Sequence, residues 1–419
     1  MTYSFDGFDR CSNRGFVPSL PSRLGAKVCI AALLVLAIAG CASPERSAPV
    51  PTADVVNAMP LGIENARFYP GEQHDEILAE FRRAADRQRQ ALGLGPDAML
   101  PPAQLLAISG GGDNGAFGSG VLVGWTAAGN RPEFELVTGV STGAILSPFA
   151  FLGPTYDTQL RDVYTTVNAD DLYIERGFID AIYNDALSDT TPLWELISKY
   201  VDEAMMQAIA AEYEKGRLLL IASTNLDAQR PTIWNVGAIA ASGHPEAIDL
   251  VRKVLRASSA VPGVFQPVLI DVEVNGTKYQ ELHVDGGAIA QIFLYPPNLN
   301  PEDIAHENRT AYLILNARED STWTDVDVRT LSIAGQAIST MIHYSGVNDV
   351  MRIYYMSKEE GIDFNLAYIG HDFATVEDGD FDQAYMQALY DYSYQQALNG
   401  YPWKKIPPVL SGAGTAEGD

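Results

Sequence analysis

The sequence predicts an α/β protein with a central, mainly parallel β-sheet flanked by helices. Short apolar runs alternate with amphipathic helical segments along most of the 419-residue chain, and this alternation is typical of parallel strands joined by helices. Two of the runs, at residues 105–109 and 134–138, lead into glycine-containing turns followed by helical patterns. Hydrophobic residues make up 47% of the chain, an ordinary fraction for a globular protein, so a chain disordered throughout is excluded.

Acidic residues outnumber basic ones, 53 Asp and Glu against 28 Lys and Arg, which gives a net charge of −25. An electrostatic field of that sign repels phosphate backbones. We therefore expect no nucleic-acid partner. The same charge keeps a protein soluble.

The first 40 residues predict a lipoprotein signal peptide. Basic residues precede an uninterrupted apolar run over residues 28–39. This run is too short to cross a bilayer core of ~30 Å as a helix, but it has the length of the hydrophobic region of a signal peptide.

Cys41 follows two small residues, an arrangement that resembles a bacterial lipobox. The resemblance implies cleavage before a lipidated Cys41 and contact with a membrane through that lipid anchor. Ala42 is similar to the residue found there in lipoproteins of the outer membrane, which implies an envelope protein facing the periplasm. A secretory signal cut elsewhere, or a short membrane anchor, is the alternative. Cys11 and Cys29 lie in the predicted signal peptide, so the mature chain forms no internal disulfide.

Residues 41–100 are predicted to hold a tether and an N-terminal helix. Pro, Ala and Ser dominate residues 43–60, which favours a flexible tether. Helical periodicity over residues 76–92 predicts a helix that packs on the core.

Residues 101–300 contain most of the predicted strands and form the predicted core. Strands are predicted over residues 105–109, 134–138, 217–223, 232–236, 268–274 and 278–284, and helices over residues 116–128 and 245–258. Asn275-Gly276 separates the last two strands and predicts a hairpin, because both residues tolerate positive φ. The predicted C-terminal helical part, residues 301–407, holds a strand at 312–316 and helices at 326–357 and 381–398; residues 408–419 form a flexible tail.

A G-x-S-x-G motif lies between a predicted strand and a predicted helix, with Ser141 flanked by Gly139 and Gly143. Such a serine occupies a strained strand-to-helix turn, and glycines at both flanking positions let the neighbouring backbone approach closely. The helix N-terminus favours the negative charge that develops during nucleophilic attack. Ser141 is the predicted nucleophile.

Residues 110–115, Gly-Gly-Gly-Asp-Asn-Gly, also lie between a strand and a helix. In one interpretation, the amides of Gly111 and Gly112 form an oxyanion hole, where each donor stabilises the transition state by ~3 kcal/mol.

In the other interpretation, Gly110, Gly112 and Gly115 form the G-x-G-x-x-G of a dinucleotide site. Glu133 or Glu135 then supplies the acidic residue expected about 20 positions downstream. The serine motif favours the first interpretation, because a nicotinamide enzyme has no use for a nucleophile there and an acyl hydrolase needs both parts.

A serine nucleophile also needs a base. Asp285 ends a predicted strand and precedes Gly286 and Gly287, so its carboxylate has room to approach the Ser141 hydroxyl and take its proton; an Asp in a tight turn is the alternative. Of the six histidines, His283 alone lies near a strand end. Strand alternation places its side chain on the face of Asp285, which makes it a candidate to support that residue.

Metal motifs are missing from the sequence. No Cys/His cluster has the spacing of a zinc site, and residues 377–380 lack the further ligand positions of a calcium loop. We therefore predict no metal and no organic cofactor.

Together the three motifs resemble those of the patatin-like phospholipase family. The resemblance implies an oxyanion loop at residues 110–115, a nucleophile at Ser141, and a general base at Asp285 in its Asp-Gly-Gly motif. Residues 257–265 are similar to the family segment that precedes this aspartate. One position differs, because the family loop commonly carries Arg or Lys where this chain has Asn114, which puts a phospholipid headgroup preference in doubt.

The resemblance implies a three-layer α/β sandwich and a serine acyl hydrolase that cleaves lipid or other acyl esters with a Ser-Asp dyad. Two alternatives stay open: a dinucleotide-binding oxidoreductase that uses the glycine-rich loop, and a non-catalytic envelope lipoprotein that keeps the fold.

Overall fold

The computed structural model describes residues 46–175, 188–295, 308–318 and 326–411. The predicted signal peptide and Cys41 lie outside these residues. Among the helices in the described ranges, none is long and apolar enough to cross a membrane.

The strands and helices follow one another through the described chain. The strands are β1 (Arg67–Phe68), β2 (Ala103–Ile108), β3 (Leu136–Val140), β4 (Ile174–Glu175), β5 (Ser188–Asp189), β6 (Leu218–Asn225), β7 (Arg230–Asn235), β8 (Val268–Val274), β9 (Thr277–Asp285), β10 (Arg309–Leu315) and β11 (Asp363–Tyr368). The helices are α1 (His74–Ala91), α2 (Gly115–Ala127), α3 (Thr142–Leu152), α4 (Asp157–Thr165), α5 (Thr191–Tyr200), α6 (Glu203–Glu214), α7 (Val236–Ala241), α8 (Ala247–Ser258), α9 (Thr330–Glu359), α10 (Gln383–Leu398) and α11 (Pro408–Ser411).

The described residues form a nine-stranded sheet whose central strands are parallel, in the order β6, β3, β2, β10 and β11. Antiparallel strands complete it on the side of β6, where β7 pairs with both β6 and β1. The hairpin of β8 and β9 joins through β9, which pairs antiparallel with the end of β6. β4 and β5 form a separate two-stranded ladder.

Helices cover both faces of the sheet because its strands are apolar on both faces. In β2, Leu106 and Ile108 belong to one buried cluster, together with side chains of α2, α3, α8 and α10. Leu105 and Ala107 belong to a second cluster on the other face, with side chains of α1 and α9. The predicted α/β class and three-layer sandwich are confirmed.

The predicted strands and helices are present within a few residues of their expected ends. The hairpin turn is also as predicted, with positive φ at Asn275 (50°) and Gly276 (80°). Strand β11 was not predicted, because Asp363 and Asn365 interrupt its apolar pattern. Asn365 is nevertheless buried, since its side-chain amide donates to the Ala311 carbonyl of the neighbouring strand at 3.3 Å.

The predicted tether is wrong for residues 46–60, which lie on the domain. Met59 pairs with Glu273 of β8 through two backbone hydrogen bonds of 3.0 Å, and Val55 is buried. The composition suggested a flexible segment, but apolar residues spaced along it provide enough surface to pack. Of the predicted flexible tail, the described residues 408–411 form the short helix α11.

Candidate active site

Strand β6 brings the ends of two other strands together. β3 pairs with the first part of β6, where its last residue Val140 lies opposite Ala222. β9 arrives antiparallel and pairs with the remainder, where its last residue Asp285 lies opposite Ser223. The ends of β3 and β9 therefore meet at adjacent positions along one strand. This arrangement brings together two residues that are 144 positions apart in the chain.

Ser141 follows β3 directly and has φ 55° and ψ −124°, a strained conformation for a residue with a side chain. The turn is tight because a Cβ on Gly139 would overlap the Gly143 carbonyl, and a Cβ on Gly143 would overlap the Ile108 carbonyl. Both glycines predicted to flank the serine are therefore required by close backbone contacts. The strain holds the Ser141 hydroxyl clear of its own backbone at the start of α3.

The Ser141 hydroxyl donates a hydrogen bond of 2.6 Å to Oδ2 of Asp285. The other carboxylate oxygen, Oδ1, accepts the Gly287 amide at 2.7 Å. Gly286 lies against the Ala222 carbonyl, where a side chain would not fit. Burial raises the pKa of the Asp285 carboxyl to about 6, although the hydrogen bonds from Ser141 and Gly287 work to lower it. This buried carboxyl is therefore poised to exchange a proton with the serine near neutral pH.

The backbone of Ser141 is held by α8. The Ser258 hydroxyl accepts the Ser141 amide at 2.9 Å and donates to the Ala222 carbonyl at 2.6 Å. The Ser259 hydroxyl reaches the Ser141 carbonyl at 3.4 Å. This role of Ser258 was not predicted from the sequence, although a Ser-Ser pair at a predicted helix end was the available signal.

The glycine-rich loop lies beside the serine at the same edge of the sheet. Gly111 (φ 154°) and Gly112 (φ 59°) have backbone conformations that favour glycine. A Cβ on Gly111 would also overlap the Asn316 carbonyl. Within the described chain, neither amide donates a hydrogen bond to another residue. Both amides are therefore available to an acceptor, and Gly112 lines the same cavity as Ser141.

Further contacts fix the ends of this loop. The Gly110 amide donates to the Gln291 carbonyl at 3.0 Å, and a Cβ on Gly115 would overlap the Thr142 side chain. Asn114, at the position where a basic residue was expected, accepts the Tyr385 hydroxyl at 2.7 Å. The loop is thus attached to α10 by a neutral hydrogen bond instead of carrying a cation.

The family model described as patatin-like phospholipase matches residues 106–296. Residues 106–296, called the patatin-like domain below, are similar to that family. The matched region runs from β2 to just beyond β9 and contains the glycine-rich loop, Ser141 and Asp285.

Two solved structures are similar to this chain. VipD from Legionella pneumophila is 13% identical, with 72% of this chain and 67% of that chain covered and a TM-score of 0.33. Human GIVD cytosolic phospholipase A2 is 11% identical, with 77% of this chain covered and a TM-score of 0.30. The match spans about half of the human protein, 54% of its chain. No curated protein matches the sequence.

A cavity of about 600 Å³ opens at the serine of the patatin-like domain. Its lining is mostly apolar, a property of sites that bind the apolar parts of small molecules. The lining side chains come from α3, α4, α5, α10 and the segment after α8, and include Ile145, Val163, Leu193, Phe265 and Met386.

In the described structure His283 makes no hydrogen bond to Ser141 or Asp285, so its candidate role in supporting the aspartate is not borne out. His283 is buried two residues before Asp285 in β9. Its Nδ1 lies 2.9 Å from the Ser223 hydroxyl, and its Nε2 lies 3.2 Å from the Glu281 carboxylate. Glu281 in turn pairs with Arg67. Strand alternation places His283 on the same face as Asp285 but two residues before the strand end. There it bonds to Ser223 and Glu281 instead of to the proposed dyad.

The dinucleotide interpretation also fails on geometry. Glu135 precedes β3, and its carboxylate accepts the Gln104 amide at the start of β2. Glu133 lies nearby, 3.3 Å from Arg217. Both acidic residues are at the opposite edge of the sheet from the glycine-rich loop, so neither is placed to bind a ribose. In the described ranges, no three His, Cys, Asp or Glu side chains are grouped to hold a metal ion.

Proposed function

We propose that this protein is a serine acyl hydrolase that cleaves carboxylic ester bonds of lipids with a Ser141–Asp285 dyad. The observation that carries the proposal is the 2.6 Å hydrogen bond to a buried carboxyl from a strained serine that lines an apolar cavity. The family match supports lipid hydrolysis in general.

In the proposed mechanism, Asp285 takes the proton of Ser141 as its Oγ attacks the ester carbonyl carbon. The oxyanion of the tetrahedral intermediate accepts hydrogen bonds from the Gly111 and Gly112 amides. The intermediate collapses when Asp285 returns the proton to the leaving alcohol. Water, deprotonated by Asp285, then attacks the acyl-enzyme, and Asp285 returns that proton to the Ser141 oxygen as the acid is released. A carboxyl with a pKa of about 6 serves both directions of this transfer near neutral pH.

The cavity is proposed to hold the acyl chain of the substrate, because burial of methylenes against its lining is favourable by about 0.8 kcal/mol each. Asn114 binds Tyr385 and adds no positive charge beside Ser141. We therefore propose acyl esters as the substrate class without selection for an anionic headgroup.

We further propose that Cys41 carries the lipid anchor of a bacterial envelope protein, in the outer membrane and facing the periplasm. The sequence pattern around residue 41 supports this location, and an anchored enzyme lies beside its lipid substrate.

The proposed function is tested by labelling with a fluorophosphonate and reading the intact mass. We expect one adduct on the wild type, none on Ser141→Ala, and strongly reduced labelling of Asp285→Asn. Ser147→Ala is the matched control, because Ser147 is buried one and a half turns along the same helix and bonds only to the Gly143 carbonyl. An adduct that persists in Ser141→Ala would reject the dyad. No adduct on a wild type with native circular dichroism would favour the non-catalytic lipoprotein.

A further inference from the structure

Helix α9 presents an apolar face to solvent. Residues 330–348 contain no Asp, Glu, Lys or Arg, although the chain as a whole has a net charge of −25. Ile333, Ala337, Met341 and Tyr344 are all exposed, and their spacing of four, four and three residues places them on one side of the helix. Met341 is 70% exposed. An amphipathic helix that only packs on a core would show the reverse pattern.

The second half of α9 runs along the strands of the sheet, from their carboxyl ends to their amino ends. Asp349 accepts the Gln291 amide at 2.8 Å, and the Gln291 carbonyl accepts Gly110, just beyond the carboxyl end of β2. After the helix ends, Glu360 accepts the Arg309 guanidinium at 2.9 Å, and Arg309 is the first residue of β10. Residues 349–360 therefore span the sheet from the edge formed by the carboxyl ends of its parallel strands (the carboxyl-end edge) to the edge formed by their amino ends.

The first half of α9 extends past the carboxyl-end edge. Residues 330–345 comprise about four and a half turns, or roughly 24 Å of helix, and none of their described side chains is buried. Ser141 follows β3, which is parallel to β2 and β10, so the serine lies at this same edge. The apolar face and the proposed nucleophile are thus on one side of the molecule.

We propose that the apolar face of residues 333–344 is a docking surface for a lipid bilayer and rests in its interface. The inference deepens the proposed function and rests on it for the choice of a bilayer, the phase that contains a lipid-ester substrate. Charge supports the same choice, since an acidic surface is repelled by anionic headgroups while this uncharged face is not. An interfacial helix buries its apolar side chains at the level of the headgroups.

The absence of basic residues from this face sets the lipid preference. Interfacial helices that select anionic membranes carry Lys and Arg on their polar side, whereas residues 330–348 carry neither. Binding therefore depends on apolar burial, and we expect vesicles of zwitterionic phosphatidylcholine to bind at least as well as vesicles that contain phosphatidylserine.

The test is co-sedimentation of the full chain with phosphatidylcholine vesicles, in a Cys41→Ser, Ser141→Ala background that removes the anchor and leaves the lipid intact. We expect Met341→Glu to lower the partition coefficient by ~10-fold or more, since it places a charge where the proposal buries an apolar side chain in the bilayer interface. Met99→Glu is the matched control. Met99 is 66% exposed and precedes β2, at the opposite edge of the sheet, so this variant should bind like its parent.

Equal binding of the Met341→Glu and Met99→Glu variants would overturn the proposal. So would a dimer, detected by sedimentation velocity without lipid, that the Met341→Glu substitution dissociates, because the face would then belong to a second copy of the chain. Turnover of a water-soluble short-chain ester, measured with Ser141 intact, separates this proposal from the proposed function. Loss of vesicle binding with unchanged soluble-ester turnover supports the docking surface. No soluble-ester turnover by any variant rejects the hydrolase, while the vesicle result still decides the docking surface.

Discussion

The hydroxyl of Ser258 lies 2.9 Å from the backbone amide of Ser141, which donates to it. The same hydroxyl donates to the Ala222 carbonyl at 2.6 Å, so one side chain joins α8, the strained turn and β6. A strained backbone persists only where its surroundings fix it. This pair of hydrogen bonds is therefore part of what keeps the serine in place.

Ser258→Ala tests this support. The change removes the side-chain partner of the buried Ser141 amide and of the Ala222 carbonyl, which costs about 1–3 kcal/mol of unfolding free energy. We expect a loss of that size in urea denaturation and a fall in kcat that exceeds the change in KM. The comparison is Ser259→Ala, whose hydroxyl makes only a 3.4 Å contact. A Ser258→Ala enzyme with wild-type kcat would show that the turn at Ser141 keeps its conformation without the Ser258 hydroxyl.

The pH dependence of activity follows from the buried aspartate. The pKa of Asp285 is raised to about 6, and a base must be deprotonated to act. We expect kcat/KM for a soluble ester to rise about tenfold per pH unit below 6 and to level off above it. A profile that is flat between pH 5 and 7 would contradict the assignment.

Stability should move in the opposite direction through the same carboxyl. Its folded pKa lies above the unfolded value, so the folded state binds more protons between pH 4 and pH 6. The contribution of Asp285 to the free energy of unfolding is therefore present at low pH and is lost as the pH rises to 6. The difference in unfolding free energy between wild type and Asp285→Asn, measured at pH 5 and pH 7, isolates this contribution. We expect the wild type to be less stable relative to Asp285→Asn at pH 7 than at pH 5.

Two neighbouring glycines of the loop should respond differently to alanine. Gly112→Ala places a Cβ in open space, so only its positive φ of 59° is penalised, by roughly 1–2 kcal/mol. Gly111→Ala adds an overlap with the Asn316 carbonyl. We expect thermal unfolding to show a modest loss for Gly112→Ala and a clearly larger one for Gly111→Ala. The reverse order would mean that the loop relaxes away from Asn316.

The buried ion pair of Arg67 and Glu281 should dominate acid stability. Burial acts to raise the pKa of Glu281, but Arg67 and His283 outweigh it and lower the pKa to about 2. The stabilising contribution is thus complete above pH 4.5 and is lost as the pH falls toward 2. Glu281→Gln leaves the Arg67 charge buried and unpaired, and we expect a loss of about 3–5 kcal/mol in urea unfolding at pH 7.

A matched control for that variant is Glu72→Gln. Glu72 pairs with Arg230 on the surface, where an ion pair contributes about 0–1 kcal/mol. Equal losses for the two variants would contradict a special role for the buried pair. Labelling of the Ser141 hydroxyl should persist in folded Glu281→Gln, because in the described structure neither Arg67 nor Glu281 is hydrogen-bonded to Ser141 or Asp285.

The proposed dyad and the loop were predictable because each is encoded in a short, contiguous motif. Glycines that prevent overlap at Ser141 and Asp285 leave a pattern in the sequence itself. Ser258 leaves only a Ser-Ser pair at a helix end and Gln291 leaves no pattern, since their importance arises from contacts with residues far away in the chain. The Ser258–Ser141 pair, for example, is separated by 117 positions.

The fold shows the same division. Apolar runs and turn residues predicted the central strands and the Asn275-Gly276 hairpin. Strand β11 was missed because a buried Asn365 satisfies its amide across the sheet, and residues 46–60 were misread because Val55 finds a partner surface that composition does not reveal. Local rules therefore predicted the proposed dyad, and long-range packing supplies the contacts that support it.

The carboxyl ends of β3 and β9 lie at adjacent positions on β6, and this arrangement has a practical use. Asp285 is fixed at the far end of a nine-residue strand, so the exposed hairpin tip at Asn275-Gly276 lies about 30 Å from it along the chain. Exposed loop tips of small polar residues tolerate insertions well. This tip is thus a site for a fluorescent reporter or an affinity tag in a protein engineered for imaging, with the proposed reaction centre left undisturbed.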